Sequence, residues 1–284
     1  MLRMMRKLLV CALALGVGLS AFADKTVAEL LKDNGYSYTV TNGYSGAVRY
    51  KFKFEGYKAY FDEPSNVKEG RKWIWCMKWP GAFAAYTGQI DGVKRGYYYV
   101  YLDDIRWMNP EGVKIAKKFK DFLVNKLKFA NKANLIGMSW GGFYSTRYAA
   151  NYPEDIEKIY IDNPVMNFDA FELDKWPPAA QAWDKSESGS WVNDSRMPIN
   201  LAEKIAKAKI PILLLYGSLD TTVIPKDNCE IFIQRFKAAG GDIKVYERKN
   251  YGHHPHGFTN KAAYGAVVDF FEGKDFKSKV EKCD

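Results

Sequence analysis

The chain has 284 residues, 42 Lys and Arg against 33 Asp and Glu, a formal charge of +9, and 47% hydrophobic residues. A sequence this apolar is neither disordered nor fibrous, and its length suits one large α/β domain as well as two small ones. The basic residues are scattered singly or in short pairs such as Lys117-Lys118; that pattern reads as solvated helix faces, and no nucleic-acid motif accompanies it.

Residues 1–23 carry Arg3, Arg6 and Lys7, an apolar run from Leu8 to Leu19, and Ala21-Phe22-Ala23. This is the pattern of a secretory signal peptide, so the mature chain is expected to begin at Asp24 and to be periplasmic or secreted. The run falls short of the roughly 20 residues a bilayer span needs, which leaves no membrane partner after cleavage. Without a Gly/Ser/Pro-rich linker or a repeat, residues 24–284 read as a single domain. Past the leader stand Cys76, Cys229 and Cys283, an odd number with no metal-site spacing. Cys76, inside an apolar run, reads as a buried free thiol. Nothing in the spacing supports a Cys229–Cys283 disulfide, and no feature fixes the oligomeric state.

In chain order, residues 26–32 read as a short helix. Residues 36–41, 47–54 and 57–61 alternate with period two between Gly43, Gly46 and Gly56, the pattern of an antiparallel meander. Residues 71–78 and 96–102 are continuously apolar strands. Residues 110–129 form an amphipathic helix with Val113, Ile115, Ala116, Phe119, Phe122 and Leu123 inward. Strands at 133–137, 156–161, 210–216 and 243–247 then alternate with helices at 141–151, 200–208, 225–239 and 259–272. Such alternation predicts a mostly parallel sheet with helices on both faces. A meander followed by βα units is the layout of the α/β-hydrolase fold.

The first strand of that alternation runs into Gly137-Met138-Ser139-Trp140-Gly141-Gly142. Gly-x-Ser-x-Gly between strand and helix is a nucleophile elbow: the serine takes strained backbone angles, and a side chain at Gly137 or Gly141 would clash. The turn also aims the Trp140 N–H and the positive helix end at an oxyanion forming above Ser139. In this fold the acid follows a later strand and the histidine comes last. Asp220, in Gly217-Ser218-Leu219-Asp220, occupies the acid's place; Asp162, after the 156–161 strand, competes and reads as a loop-ordering carboxylate. The three histidines of the chain all lie in Gly252-His253-His254-Pro255-His256. His253 is the expected base, with His254 and His256 as alternatives and His256 as a substrate contact. A metal is set aside for want of a cysteine or carboxylate cluster elsewhere, and no cofactor is required. The second oxyanion donor should follow the 71–78 strand. Pro80 has no N–H, so Trp79, Gly81 or Phe83 remains, with Trp79 preferred.

These residues resemble a group of exported bacterial α/β-hydrolases. The shared features are a Trp-rich strand at residues 73–78, the Gly137–Gly142 elbow, Asp162 to Val165, Ala206 to Leu213, and Gly252 to His256. The resemblance covers residues 70–258 and implies triad roles for Ser139, Asp220 and His253. It also implies carbohydrate esters as substrates, although Trp140 stands where many relatives carry arginine. Residues 163–200 lack periodicity but hold Trp176, Trp183 and Trp191. In this fold the insertion after the sixth strand is a cap, so an aromatic lid is expected, its tryptophans stacking on substrate or packing the lid onto the body. The expected activity is a serine carboxylesterase acting on short-chain or carbohydrate-linked esters. Alternatives are an oligopeptidase-like serine peptidase and a non-catalytic exported carbohydrate-binding protein.

Overall fold

Side-chain alternation decides how the centre of the sheet is buried. Trp73 and Trp75 point to one face and Ile74 and Cys76 to the other, and all four are at most 1% exposed. Because both faces are covered, the run loses its polar alternation and reads as continuously apolar. The computed structural model describes residues 25–280, so the leader read in residues 1–23, and Cys283, lie outside the described residues.

The sheet contains β1 (Tyr38–Asn42), β2 (Val48–Phe54), β3 (Tyr57–Glu63), β4 (Trp73–Cys76), β5 (Tyr98–Leu102), β6 (Ala133–Met138), β7 (Ile156–Asp162), β8 (Ile212–Gly217) and β9 (Ile243–Arg248). Their order is β1-β2-β3-β5-β4-β6-β7-β8-β9. The first three strands and the β3–β5 pair are antiparallel, and every later pair is parallel. The meander is therefore joined edge-on to a parallel sheet, as expected.

Among the described residues the helices are α1 (Val27–Asp33), α2 (Gln89–Lys94), α3 (Pro110–Asn125), α4 (Trp140–Asn151), α5 (Pro177–Ala182), α6 (Pro198–Lys207), α7 (Cys229–Ala238), α8 (Ala266–Glu272) and the short α9 (Lys277–Val280). One face of the sheet packs Trp73, Trp75 and Leu135 against Phe119 of α3, Phe143 and Tyr148 of α4 and Phe232 of α7. The opposite face packs Ile74, Ile136 and Leu213 against Val93 of α2 and Val267 and Phe271 of α8.

Several boundaries differ from the sequence reading for local reasons. The helix expected to reach residue 129 ends at Asn125, because Lys128 turns left-handed at φ 61° and returns Phe129 to the core. The final helix is split: Gly265, at φ 86°, separates a short 3-10 turn at Lys261–Ala263 from α8. Asn228 breaks the 225–239 helix, and its buried Oδ1 accepts the N–H groups of Met166 and Asn167 at 2.9 and 3.1 Å.

The insertion at residues 163–200 follows β7, the seventh strand along this chain rather than the sixth. It is not an unbroken loop: it holds α5 and two 3-10 turns, Leu173–Lys175 and Trp191–Asn193. Carboxylates replace periodicity as its organisers. Asp169 accepts the Ser190 hydroxyl and the N–H groups of Trp191 and Val192, while Asp194 takes the Glu187 N–H and the Arg196 guanidinium. Burial works against ionisation of Asp194, yet these bonds hold its carboxyl well below the usual range.

Candidate active site

The elbow is built where β6 meets α4. Ser139 caps α4 with φ 52° and ψ −117°, a region costly to any residue with a Cβ and tolerated where the surroundings over-determine it. Its N–H donates to Asp162 O at 2.9 Å, and its carbonyl accepts from Gly142 at 2.9 Å and Val165 at 3.1 Å. A Cβ on Gly137 would lie 2.3 Å from the Gly141 carbonyl oxygen, and one on Gly142 would lie 2.2 Å from Pro164 Cβ. At Gly141 a Cβ would approach nothing closer than 3.4 Å, so the steric requirement expected at Gly141 falls instead on Gly142. Gly137→Ala is expected to cost about 2 kcal/mol or more of stability, because backbone rather than a flexible side chain blocks the space. Denaturant unfolding measures it.

Asp220 follows β8 and is held by its own turn: Oδ1 accepts the N–H groups of Thr222 and Val223 at 2.8 and 2.9 Å. Its Oδ2 lies 2.7 Å from His253 Nδ1, and the Asp220 side chain is fully buried. An ionised carboxylate only accepts, so Nδ1 carries the proton and Nε2 keeps a free lone pair. Among the described residues the Ser139 hydroxyl makes no hydrogen bond.

A second His–Asp pair stands beside the first. His256 Nδ1 is 3.0 Å from Asp162 Oδ1, and Asp162 also accepts from Gly257 N at 2.5 Å, Tyr160 OH at 2.8 Å and Arg248 at 3.4 Å. Burial pushes the Asp162 carboxyl up, and His256, Arg248 and the Gly257 N–H outweigh it and hold the group low. His256, read as a substrate contact, is 2% exposed and bonds Asp162 through Nδ1. His254 is exposed, and burial together with the neighbouring imidazoles pushes its pKa down.

Asn163 is the positioning residue that the sequence reading missed. Its Oδ1 accepts Gly217 N at 2.8 Å and its Nδ2 donates to His253 O at 2.8 Å. Since Asp162, its neighbour, holds the Ser139 N–H, one dipeptide ties the ends of β6, β7 and β8 to the histidine loop. An Asn following a strand was the available signal, because Asn tolerates the left-handed φ of 42° seen here.

The N–H groups of Trp140 and Trp79 carry no hydrogen bond among the described residues, whereas Gly81 N–H is taken by Gln89 Oε1 at 3.0 Å. Gly81 is therefore removed as an oxyanion donor. Lys78 is buried, ion-paired with Asp104, and lies 4.5 Å from the Trp107 ring centre and 5.1 Å from that of Trp79. Among the described residues, Trp140 Nε1 and the Tyr144 hydroxyl, both buried, have no hydrogen-bond partner.

The three lid tryptophans divide. Trp176 stands within 6.1–6.2 Å of the rings of Trp79, Trp107 and Trp140, over the elbow. Trp183 is 2% exposed, donates Nε1 to Trp107 O at 2.8 Å, and packs on Phe143 and Phe168. Trp191 packs on Phe168 and Trp183. Of the two roles read for the tryptophans, Trp183 shows lid packing, and the ring contacts of Trp191 are also with lid residues.

Cys76 and Cys229 are free and buried. Burial pushes the Cys76 thiol up to about 12 and raises Cys229 likewise, so neither is a nucleophile at neutral pH. Among the described residues no helix is long and apolar enough to cross a membrane.

Comparison with known proteins agrees with this architecture. The model of the alpha/beta hydrolase fold family matches residues 105–196. Among solved structures, the chain is similar to Pyrococcus horikoshii acylaminoacyl peptidase (15% identity, TM-score 0.60, 89% of this chain and 45% of that one). It is also similar to Porphyromonas gingivalis dipeptidyl peptidase 4 (12%, 0.62, 84% and 35%). A third likeness is to an S-formylglutathione hydrolase from Agrobacterium tumefaciens (13%, 0.55, 87% and 99%). The chain spans less than half the length of the two peptidases. No curated protein matches the sequence. Sheet order, elbow and these likenesses together establish that the chain has the α/β-hydrolase fold.

Proposed function

We propose that the protein is a serine hydrolase with Ser139 as nucleophile, His253 as base and Asp220 as the orienting acid, and that its substrates are carboxylic esters, short-chain or carbohydrate-linked. The observation that carries this reading is the 2.7 Å bond from His253 Nδ1 to a buried Asp220, in a fold whose strained elbow presents Ser139. His253 Nε2 takes the proton as Ser139 Oγ bonds to the ester carbonyl carbon. The developing oxyanion accepts the N–H groups of Trp140 and Trp79, the former at the positive end of α4. Collapse breaks the ester C–O bond; His253 returns the proton to the departing alcohol, and water, deprotonated by the same nitrogen, releases the acid from the acyl-enzyme.

Lys78 is spent on Asp104, and Trp140 Nε1 and the Tyr144 hydroxyl are buried, so the surface offered to a substrate near the elbow is largely aromatic. Trp176 supplies the apolar wall. The reading needs no cofactor. The leader pattern of residues 1–23 supports export to the periplasm or beyond. The peptidase reading rests on the named structural neighbours alone, each under 25% identical.

The test is hydrolysis of p-nitrophenyl acetate, butyrate and octanoate, acetylated xylan and methyl ferulate beside peptide p-nitroanilides. Ester cleavage with the anilides left intact is expected. Preferential cleavage of an anilide would overturn the ester assignment in favour of a peptidase.

A further inference from the structure

We propose that His253, His254 and His256 form a binding site for a divalent transition-metal ion, with Zn2+ the expected occupant, and that the ion switches the enzyme off by holding the base of the triad. The binding rests on geometry alone; the switching rests on the function proposed above.

The three imidazoles form a tripod. Their ring centres are 4.8, 5.0 and 5.0 Å apart and their planes are inclined at 73°, 78° and 86° to one another. One ring nitrogen from each lies within 4.8 Å of the others. Tetrahedral zinc with Zn–N bonds of about 2.0–2.1 Å needs the nitrogens roughly 3.4 Å apart, so the widest pair must close by up to about 1.4 Å. The exposed His254 is the ring able to supply that movement.

Two of the three rings are already held as metal ligands are. An imidazole that binds a metal through one nitrogen commonly donates its other N–H to a carboxylate, which fixes the ring and raises its basicity. His253 and His256 both do this, toward the fully buried Asp220 and Asp162. The nitrogen each can offer without breaking its carboxylate bond is Nε2. Asp220 and Asp162 thus stand behind the rings rather than among the ligands. Phe83 stacks on His254 and meets His256 edge-on, both at 5.5 Å, and shields one side of the cluster. An all-imidazole set suits zinc, copper or nickel over magnesium or calcium, and three ligands leave a position for water.

The consequence for catalysis follows from one lone pair. His253 Nε2 cannot bind zinc and accept the Ser139 proton together. Zinc and turnover therefore exclude each other, and no redox step or covalent change is involved.

The test uses the purified chain, stripped with a chelator. Zinc chloride is titrated by calorimetry and cobalt chloride by visible absorption, while labelling of Ser139 by a fluorophosphonate is followed in parallel. Expected are one ion per chain, binding weakened at least about tenfold by His254→Ala, and labelling slowed with the same zinc midpoint. Without zinc, His254→Ala should label as the wild type does. Binding weaker than about 1 mM, or binding unchanged in His254→Ala, overturns the site. Labelling indifferent to bound zinc overturns the switch. A chain that binds zinc through His254 but never labels overturns the hydrolase and leaves the metal site standing.

Discussion

Ser139→Ala is expected to lower kcat by roughly 10^6-fold on any ester the wild type cleaves, with the fold intact. The size follows from cooperation: without the hydroxyl, His253 and Asp220 have no nucleophile to activate, and only binding and the oxyanion donors act on the carbonyl. Stability should stay within about 0.5 kcal/mol. The structural bonds of Ser139 run through its backbone, to Asp162 O and from the N–H groups of Gly142 and Val165, and alanine keeps all three. Alanine is also no worse than serine at φ 52°. Steady-state kinetics beside a melting curve checks both halves. A variant that loses activity only because it unfolds would contradict the assignment.

The second large effect separates two carboxylates that the sequence left in competition. Asp220→Asn is expected to lower kcat by about 10^4-fold, because an amide can no longer hold His253 in the tautomer with a free Nε2. Its fold should survive, since the amide oxygen can still accept the N–H groups of Thr222 and Val223. Asp162→Asn should do the reverse. Four groups converge on this buried carboxylate, Arg248 among them, so removing its charge is expected to cost about 3–5 kcal/mol, with far less effect on kcat per folded molecule.

The pH dependence has the sign of a depressed carboxylate. Asp162 titrates lower folded than unfolded, so its contribution is complete above the ordinary carboxylate range, near pH 5, and is lost as pH falls through the lowered folded value. Melting temperatures across that range should fall less steeply with acid in Asp162→Asn than in the wild type. Equal slopes would show that the Asp162 cluster is not what acid disrupts.

Patterning made the strands, the meander and the elbow legible, because periodicity and glycine placement are local properties of the chain. Trp73 to Cys76 could be recognised as a two-faced strand from the apolar run alone. Contacts between distant segments were not legible. His256 and Asp162 are 94 residues apart, and nothing near either announces the other. Asn163 looked like the first residue of a lid, and only the approach of Gly217 and the His253 carbonyl reveals its bridging role. The lid defeated periodicity because Asp169 and Asp194 organise it through backbone N–H groups, which leave no repeat. Trp183 could not be told from Trp176 in sequence; burial against Phe143 and Phe168 separates the anchor from the tryptophan over the elbow. The break at Gly265 was readable in principle, since glycine at φ 86° ends a helix without steric cost.

The claim that Ser139 is the covalent nucleophile is tested most directly by intact-mass measurement after reaction with a fluorophosphonate, followed by peptide mapping. The account predicts a single adduct on the peptide that carries Ser139, formed more slowly in Asp220→Asn. No adduct on the folded wild type, or an adduct on any other residue, would contradict it.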